Sequence, residues 1–236
     1  MSVVMAARRV EALEAHAAEI RASGGKALAV GCDVSRQADC ERLISTAMGE
    51  FGSVYAVFAN AGYGVEGPVI ESTDFDIRQI FETNFYGSLN VIRPALAEMM
   101  RAKAGHILFC SSCLSKIGTP YFASYSASKA AQDHYARAMR IELAASGISV
   151  SSVHPIGTRT EFFDTASTLS KNSRLALRTP ERLMQRPEVV GKAVVKCLRR
   201  PKGEVWTSLS TRVALGAAVV FPGLADRVLR RLISRA

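Results

Sequence analysis

His106-Ile107-Leu108-Phe109-Cys110-Ser111-Ser112, followed thirteen positions after its last serine by Tyr125-Ser126-Ala127-Ser128-Lys129, is the stretch on which the reading turns. His106 to Cys110 is an apolar run of strand length that ends in two small polar residues. Residues 122–145 then carry a helical pattern, and Ile148 to Val153 is again an apolar run. The same alternation extends toward the start of the chain. Val3 to Ala7 reads as a strand, and Val10, Leu13, Ala17 and Ile20 recur at helical spacing until Ser23-Gly24-Gly25 ends the helix. Lys26 to Cys32 is a second strand, and Leu43, Ile44, Ala47, Met48 and Phe51 share one face of a second helix. Val54 to Ala59 is a third strand and residues 75–102 form one long helix. Continuously apolar strands alternating with helices of ten residues or more predict an α/β fold, a doubly wound parallel sheet with helices on both faces. Ligands bind such sheets at the carboxyl ends of the strands. Function is therefore expected in the turns after Ala7, Val30, Ala59, Cys110 and Val153.

Composition bounds the alternatives. A chain of 236 residues with 48% hydrophobic and 22% charged residues can bury one substantial core and is neither disordered nor fibrous. The formal charge is +9, but residues 1–170 hold 15 basic and 17 acidic side chains, whereas residues 171–236 hold 15 basic and 4 acidic ones. A nucleic-acid-binding domain spreads its basic stripe over the body that does the recognition. Here the body is near neutral and the tail has no DNA-binding motif, so no nucleic-acid partner is expected. Five cysteines are an odd number in a chain too long to need disulfide staples, and Cys110 and Cys113 lack the second ligand pair that a metal site requires. No metal is expected. Met1 to Ala7 runs directly into Arg8, Arg9 and a charged helix rather than a signal peptide, and a cytoplasmic location follows as the expectation.

Tyr125 and Lys129 lie four apart on a helix and share a face. A free phenol has a pKa of about 10 and is a poor proton donor or acceptor at neutral pH. A neighbouring ammonium stabilises the phenolate, which predicts that Lys129 makes Tyr125 a usable general acid and base. Ser112, on the turn beside it, can hydrogen-bond the same substrate oxygen.

These residues resemble the short-chain dehydrogenase/reductase family, a Rossmann-like fold, whose pattern sets a serine thirteen residues before the tyrosine of Y-x-x-x-K. Asn60-Ala61-Gly62 resembles the family's N-A-G turn, and Asp33-Val34 the turn that meets the adenine ring. Asn84 matches the helix asparagine that completes the catalytic tetrad, and His154-Pro155-Ile156-Gly157-Thr158-Arg159-Thr160 resembles the segment after the sixth strand. The resemblance runs from about residue 3 to about residue 165. It implies hydride transfer between a nicotinamide cofactor and a small carbonyl or alcohol. Asn84, Ser112, Tyr125 and Lys129 would be catalytic. Tyr125 would exchange the proton, Ser112 would bind the substrate oxygen, and Lys129 would also hold the nicotinamide ribose. Asn84 would hold the helix bend and a water linking Lys129 to solvent. Cofactor contacts would come from Arg8, Asp33, Val34, Asn60, Ala61, Gly62, Tyr125, Lys129, Pro155 and Thr160. Family members that use NAD place an acidic residue where this chain has Ala7 followed by Arg8 and Arg9; arginine there suits a 2'-phosphate, so NADP is expected over NAD, with Arg8 as the contact.

Two departures stand out. The family begins with a strand, a glycine-rich turn of the T-G-x-x-x-G-x-G type and a helix, yet no glycine precedes Gly24 here. The sheet is thus expected to lack its first strand, a central one lying between Val3–Ala7 and Val54–Ala59, and to read as N-terminally truncated. One account places a further strand-turn-helix unit of ~30 residues upstream of Met1; the other makes the chain a non-catalytic interaction protein with little cofactor binding. In the second departure, Ile156 separates Pro155 from Gly157. The oxidoreductase domain is expected over residues 1–210, with residues 170–188 as a substrate loop and Val205-Trp206 as an edge strand. Residues 211–236 form an apolar and basic C-terminal segment. Within it, Leu224 to Ile233 reads as a basic amphipathic helix that packs on the body or on a second subunit of a homo-oligomer, or else touches a membrane surface peripherally.

Overall fold

The computed structural model describes residues 1–170 and 184–233. In chain order these form β1 (Val3–Ala7), α1 (Val10–Ala22), β2 (Ala27–Gly31), α2 (Gln37–Phe51), β3 (Ala56–Ala59), α3 (Asp74–Phe81), α4 (Gly87–Ala102), β4 (Gly105–Cys110) and α5 (Ala123–Glu142). Then follow β5 (Ile148–His154), α6 (Phe162–Leu169), α7 (Pro187–Arg199), β6 (Glu204–Trp206), α8 (Leu209–Val220) and α9 (Pro222–Ile233). Every described strand pairing is parallel, as expected from the apolar runs and their helical crossovers.

Ile107 and Phe109 of β4 point to one face of the sheet and Leu108 to the other, following the two-residue period of a strand. The first face packs on α2, α4 and α5 through Leu43, Ile44, Leu89, Ile92, Met99 and Met139. The second face takes α7, whose Val194 and Cys197 meet Leu108, Val153 and Val205. β6 closes the sheet beside β5, as the Val205-Trp206 expectation placed it. Part of the basic excess is the solvent side of α7, where Lys192, Lys196 and Arg199 are exposed. Gly147, at φ +78°, makes the turn into β5; a Cβ there would meet the Lys103 carbonyl oxygen at 2.2 Å, so only glycine fits.

The strands form two groups, β1–β2 and β3–β4–β5–β6. β1 and β3 each keep one edge with no strand partner among the described residues. Their apolar runs read as fully buried, yet every β1 residue is at least partly exposed, while β4 is buried over residues 105–109.

The long helix expected over residues 75–102 is in fact α3 and α4 joined by a π-turn, Glu82–Tyr86. Asn84 sits inside this turn and is fully buried. Its carboxamide leaves the helix to bind another segment, the kind of demand for which helices accept an extra residue per turn. The substrate loop expected over residues 170–188 falls largely outside the described residues. Among those described, no helix is long and apolar enough to cross a membrane.

Candidate active site

β4 delivers Ser111 and Ser112 to the carboxyl end of the sheet. The Ser111 hydroxyl donates to the Lys129 carbonyl at 2.9 Å, tying the strand end to α5. Ser112 caps the short 3-10 turn Cys113–Lys116, its Oγ accepting the Leu114 N–H at 3.1 Å. On α5, Tyr125 lies in the first turn and Lys129 one turn later, and both are buried. The Tyr125 ring is flanked by Phe122 and by Phe162 at centroid distances of 6.3 and 5.2 Å.

Burial pushes the Tyr125 phenol above its ordinary pKa, and the hydrogen bond from Ser112 pulls against it without prevailing. Burial likewise lowers the Lys129 ammonium, whose Nζ donates to the Cys110 carbonyl at 2.7 Å and stands 5.8 Å from the Tyr125 ring centroid. Desolvation acts on the phenol against the lowering expected from Lys129, whose ammonium is turned onto a carbonyl. Burial thus favours the neutral form of the phenol.

Asn84 joins the cluster from the π-turn. Its Oδ1 accepts the Tyr63 N–H at 2.9 Å, and its Nδ2 donates to the Tyr63 carbonyl and to Ser128 Oγ at 2.9 and 3.0 Å. Its backbone carbonyl accepts from Gln132 Nε2 at 2.6 Å and from the Ser88 hydroxyl at 2.7 Å. The Asn84 carbonyl thus already serves two side-chain donors. A Cβ on Gly62 would stand 2.9 Å from Asn84 Oδ1 and 3.2 Å from Lys129 Nζ, so the Asn60-Ala61-Gly62 turn runs against the cluster. All three turn residues are exposed and face open space.

The remaining candidates are spread along the strand ends. Arg8 is exposed after β1, close enough to Asp33 and Tyr63 for its charge to act on both, although burial still raises the Tyr63 phenol. Arg9 is committed to an ion pair with Glu161 at the start of α6. The Asp33 carboxylate accepts from the Ser35 hydroxyl and N–H at 2.7 and 3.0 Å, which hold it below the usual carboxylate range. Val34 packs against Gly87. The Pro155 carbonyl accepts the Cys113 N–H at 3.0 Å, and Thr160 is exposed beside α6.

Sequence reasoning missed the layer behind Ser112. His154 Nδ1 lies 3.1 Å from the Ser112 carbonyl oxygen, and the ring stacks on Trp206 at 4.5 Å. Its Nε2 is 3.4 Å from Asp133, which also takes the Lys116 ammonium at 2.6 Å; Lys116 reaches Glu204 at 2.9 Å. The Asp133, His154 and Glu204 ligand atoms converge within 4.8 Å, and Lys116 supplies their cation. One signal was present: Gln132 and Asp133 follow Lys129 by three and four residues on the same helix.

A family profile described as short chain dehydrogenase matches residues 1–170. The chain is 29% identical to the ketoacyl reductase HetN of Nostoc sp. over 97% of its own length and 79% of HetN. It is 33% identical to the uncharacterised oxidoreductase Lin0452 of Listeria innocua over 69% of its own length, spanning about two thirds (66%) of that protein. A short chain dehydrogenase/reductase from Burkholderia phymatum, solved in complex with NAD, shares its fold with a TM-score of 0.82 at 23% identity, covering 91% of this chain and 83% of that one. With a profile match over most of its length and a doubly wound sheet to go with it, the chain belongs to the short-chain dehydrogenase family.

Proposed function

We propose that the protein is an NADP-dependent oxidoreductase that interconverts a small carbonyl compound and its alcohol. The observation that carries this reading is the convergence of Ser112, Tyr125, Lys129 and Asn84 beside the open turn at residues 60–62. The nicotinamide half of the cofactor fits that turn: a Cβ at Gly62 would stand 3.2 Å from Lys129 Nζ, so the glycine keeps the space beside the ammonium open, and the ammonium has donors beyond the one given to Cys110. Lys129 would hold the ribose, Asn60 to Gly62 would line its path, and Arg8 would meet the 2'-phosphate. When bound, the reduced nicotinamide supplies a hydride to the carbonyl carbon. Ser112 orients the carbonyl oxygen, and the neutral Tyr125 phenol donates its proton to that oxygen as charge develops on it. Phe162 over the Tyr125 ring keeps water from the proton donor. We also read the protein as a homo-oligomer, because Met100 of α4 and Tyr135 and Ile141 of α5 leave apolar surface exposed.

The test is NADPH oxidation by the purified protein with a panel of aldehydes and ketones. Tyr125→Phe should lower turnover by roughly 10²- to 10⁴-fold and leave NADPH binding intact; retained turnover refutes the role given to the phenol. Arg8→Glu should shift preference from NADPH toward NADH, and an unchanged ratio refutes the 2'-phosphate contact. The unpaired edges of β1 and β3 favour a second reading, an interaction protein that keeps the fold with little cofactor binding. Saturable NADPH binding refutes that alternative.

A further inference from the structure

The C-terminal helices α8 and α9 meet at a bend and bury few of their apolar side chains among the described residues. Among the described side chains, only Thr211, Leu215 and Ala218 of α8, and Ala225 and Leu229 of α9, are even partly covered. Leu209, Val213 and Val220 lie within about 60° of one another around α8, where each residue advances 100°. They are 72%, 65% and 67% exposed. Phe221, at the bend, is 61% exposed, and Leu224 and Val228, one turn apart on α9, are 59% and 48% exposed. No charged residue occurs from Val213 to Ala225. The charges lie at the two ends: Arg212 on α8, and Arg227, Arg230 and Arg231 on α9, all exposed, with Asp226 the one acidic residue between 209 and 233.

We propose that this helix pair is a docking surface for an anionic lipid bilayer. An apolar strip flanked by arginines matches a membrane interface, where acyl chains lie beneath a layer of phosphates and arginine stems reach from one to the other. A protein partner is less well matched. Interface cores are enriched in Tyr, Trp, Phe and Met, and this strip holds a single aromatic among Val, Leu, Ala and Gly. Neither helix crosses a bilayer, and the bend at Phe221-Pro222 keeps both short enough to lie in its plane. α8 also packs against the turn Cys113–Lys116 that follows Ser112. A docked membrane therefore lies on the side of the molecule where that turn enters the proposed active site.

The experiment is co-flotation of the full chain with vesicles of neutral phosphatidylcholine, or with about one third phosphatidylglycerol added, at low and high salt. Binding is expected on anionic vesicles only and should weaken with salt. Neutralising Arg212, Arg227 and Arg230 to Gln should reduce it about 100-fold, at roughly fivefold per arginine. Val220→Ser with Phe221→Ser should reduce it about tenfold, and both positions are exposed, so the fold is left intact. Absence of flotation with anionic vesicles overturns the proposal. So does flotation indifferent to the Val220 and Phe221 changes, which makes it charge attraction alone. An oligomer dispersed by those same two changes, without vesicle binding, assigns the face to a second copy and overturns it as well.

Discussion

Asp133→Asn should destabilise the protein by about 3 kcal/mol and flatten its response to acid. The side chain is 6% exposed and sits on α5 two turns beyond Tyr125. Its carboxylate takes the Lys116 ammonium at 2.6 Å and lies 3.4 Å from His154. Removing one partner of a buried ion pair costs roughly 3–5 kcal/mol, because the other charge stays desolvated. Asparagine keeps the shape and one acceptor, and Lys116, with 23% of its side chain exposed, retains Glu204 at 2.9 Å, which places the loss at the lower end. For a chain of this size about 3 kcal/mol is a fall in Tm of roughly 6–12 °C. Burial alone would raise the Asp133 carboxyl, but the hydrogen bonds from His154 and Lys116 outweigh it and hold the group well below the usual carboxylate range. A carboxyl depressed in the folded state contributes its full stability above its unfolded pKa, about 4, and loses it as pH falls through the folded value. Urea unfolding at steps from pH 7 to pH 3 should thus show the wild type losing stability below about pH 4 more steeply than the variant, by up to about 1.4 kcal/mol per pH unit. Parallel curves, or a difference under about 0.5 kcal/mol at pH 7, would refute the placement of Asp133 at the centre of this network.

His154→Phe keeps a flat ring on Trp206 and removes the hydrogen bond to the Ser112 carbonyl; kcat should fall roughly 10- to 100-fold with KM for NADPH unchanged, and His154→Gln should recover part of the loss. Equal losses in all variants, tracking Tm, would mean that His154 is merely structural. Because burial holds the Tyr125 phenol protonated, carbonyl reduction should stay level through neutral pH, whereas alcohol oxidation, which needs the phenolate as base, should climb into the alkaline range. Oxidation that declines between pH 7 and 9 would contradict this. Gly62→Ala sets a methyl 2.9 Å from Asn84 Oδ1 and 3.2 Å from Lys129 Nζ, and should lower kcat at least tenfold while costing about 1–3 kcal/mol of stability. Steady-state kinetics alongside thermal melts separates the two effects, and unchanged kinetics would remove the turn from the site.

What could be read in advance depended on how far apart in sequence a feature's parts lie. Ser112, Tyr125 and Lys129 fall within 18 residues and across one strand-to-helix turn, so local periodicity places them on one face. Asn84 carried no local signal, since a π-turn has no distinctive composition; only its position among other motifs marked it. The Lys116–Asp133–His154–Glu204 network was invisible because its members come from four segments that meet only in the folded sheet. Desolvation at Tyr125 and Lys129 was equally out of reach, because spacing gives proximity but not burial. Apolar runs were misleading in a different way. Val3–Ala7 reads as a buried strand and residues 211–236 as an apolar and basic segment, and the described residues give little cover to either β1 or α8. The two need different partners. A bare strand edge presents unpaired N–H and C=O groups, which backbone hydrogen bonds satisfy and a lipid surface does not. The helices have already satisfied their backbones internally and present only side chains, apolar along the strip and cationic at its ends, which an anionic surface can accept without any change in their secondary structure.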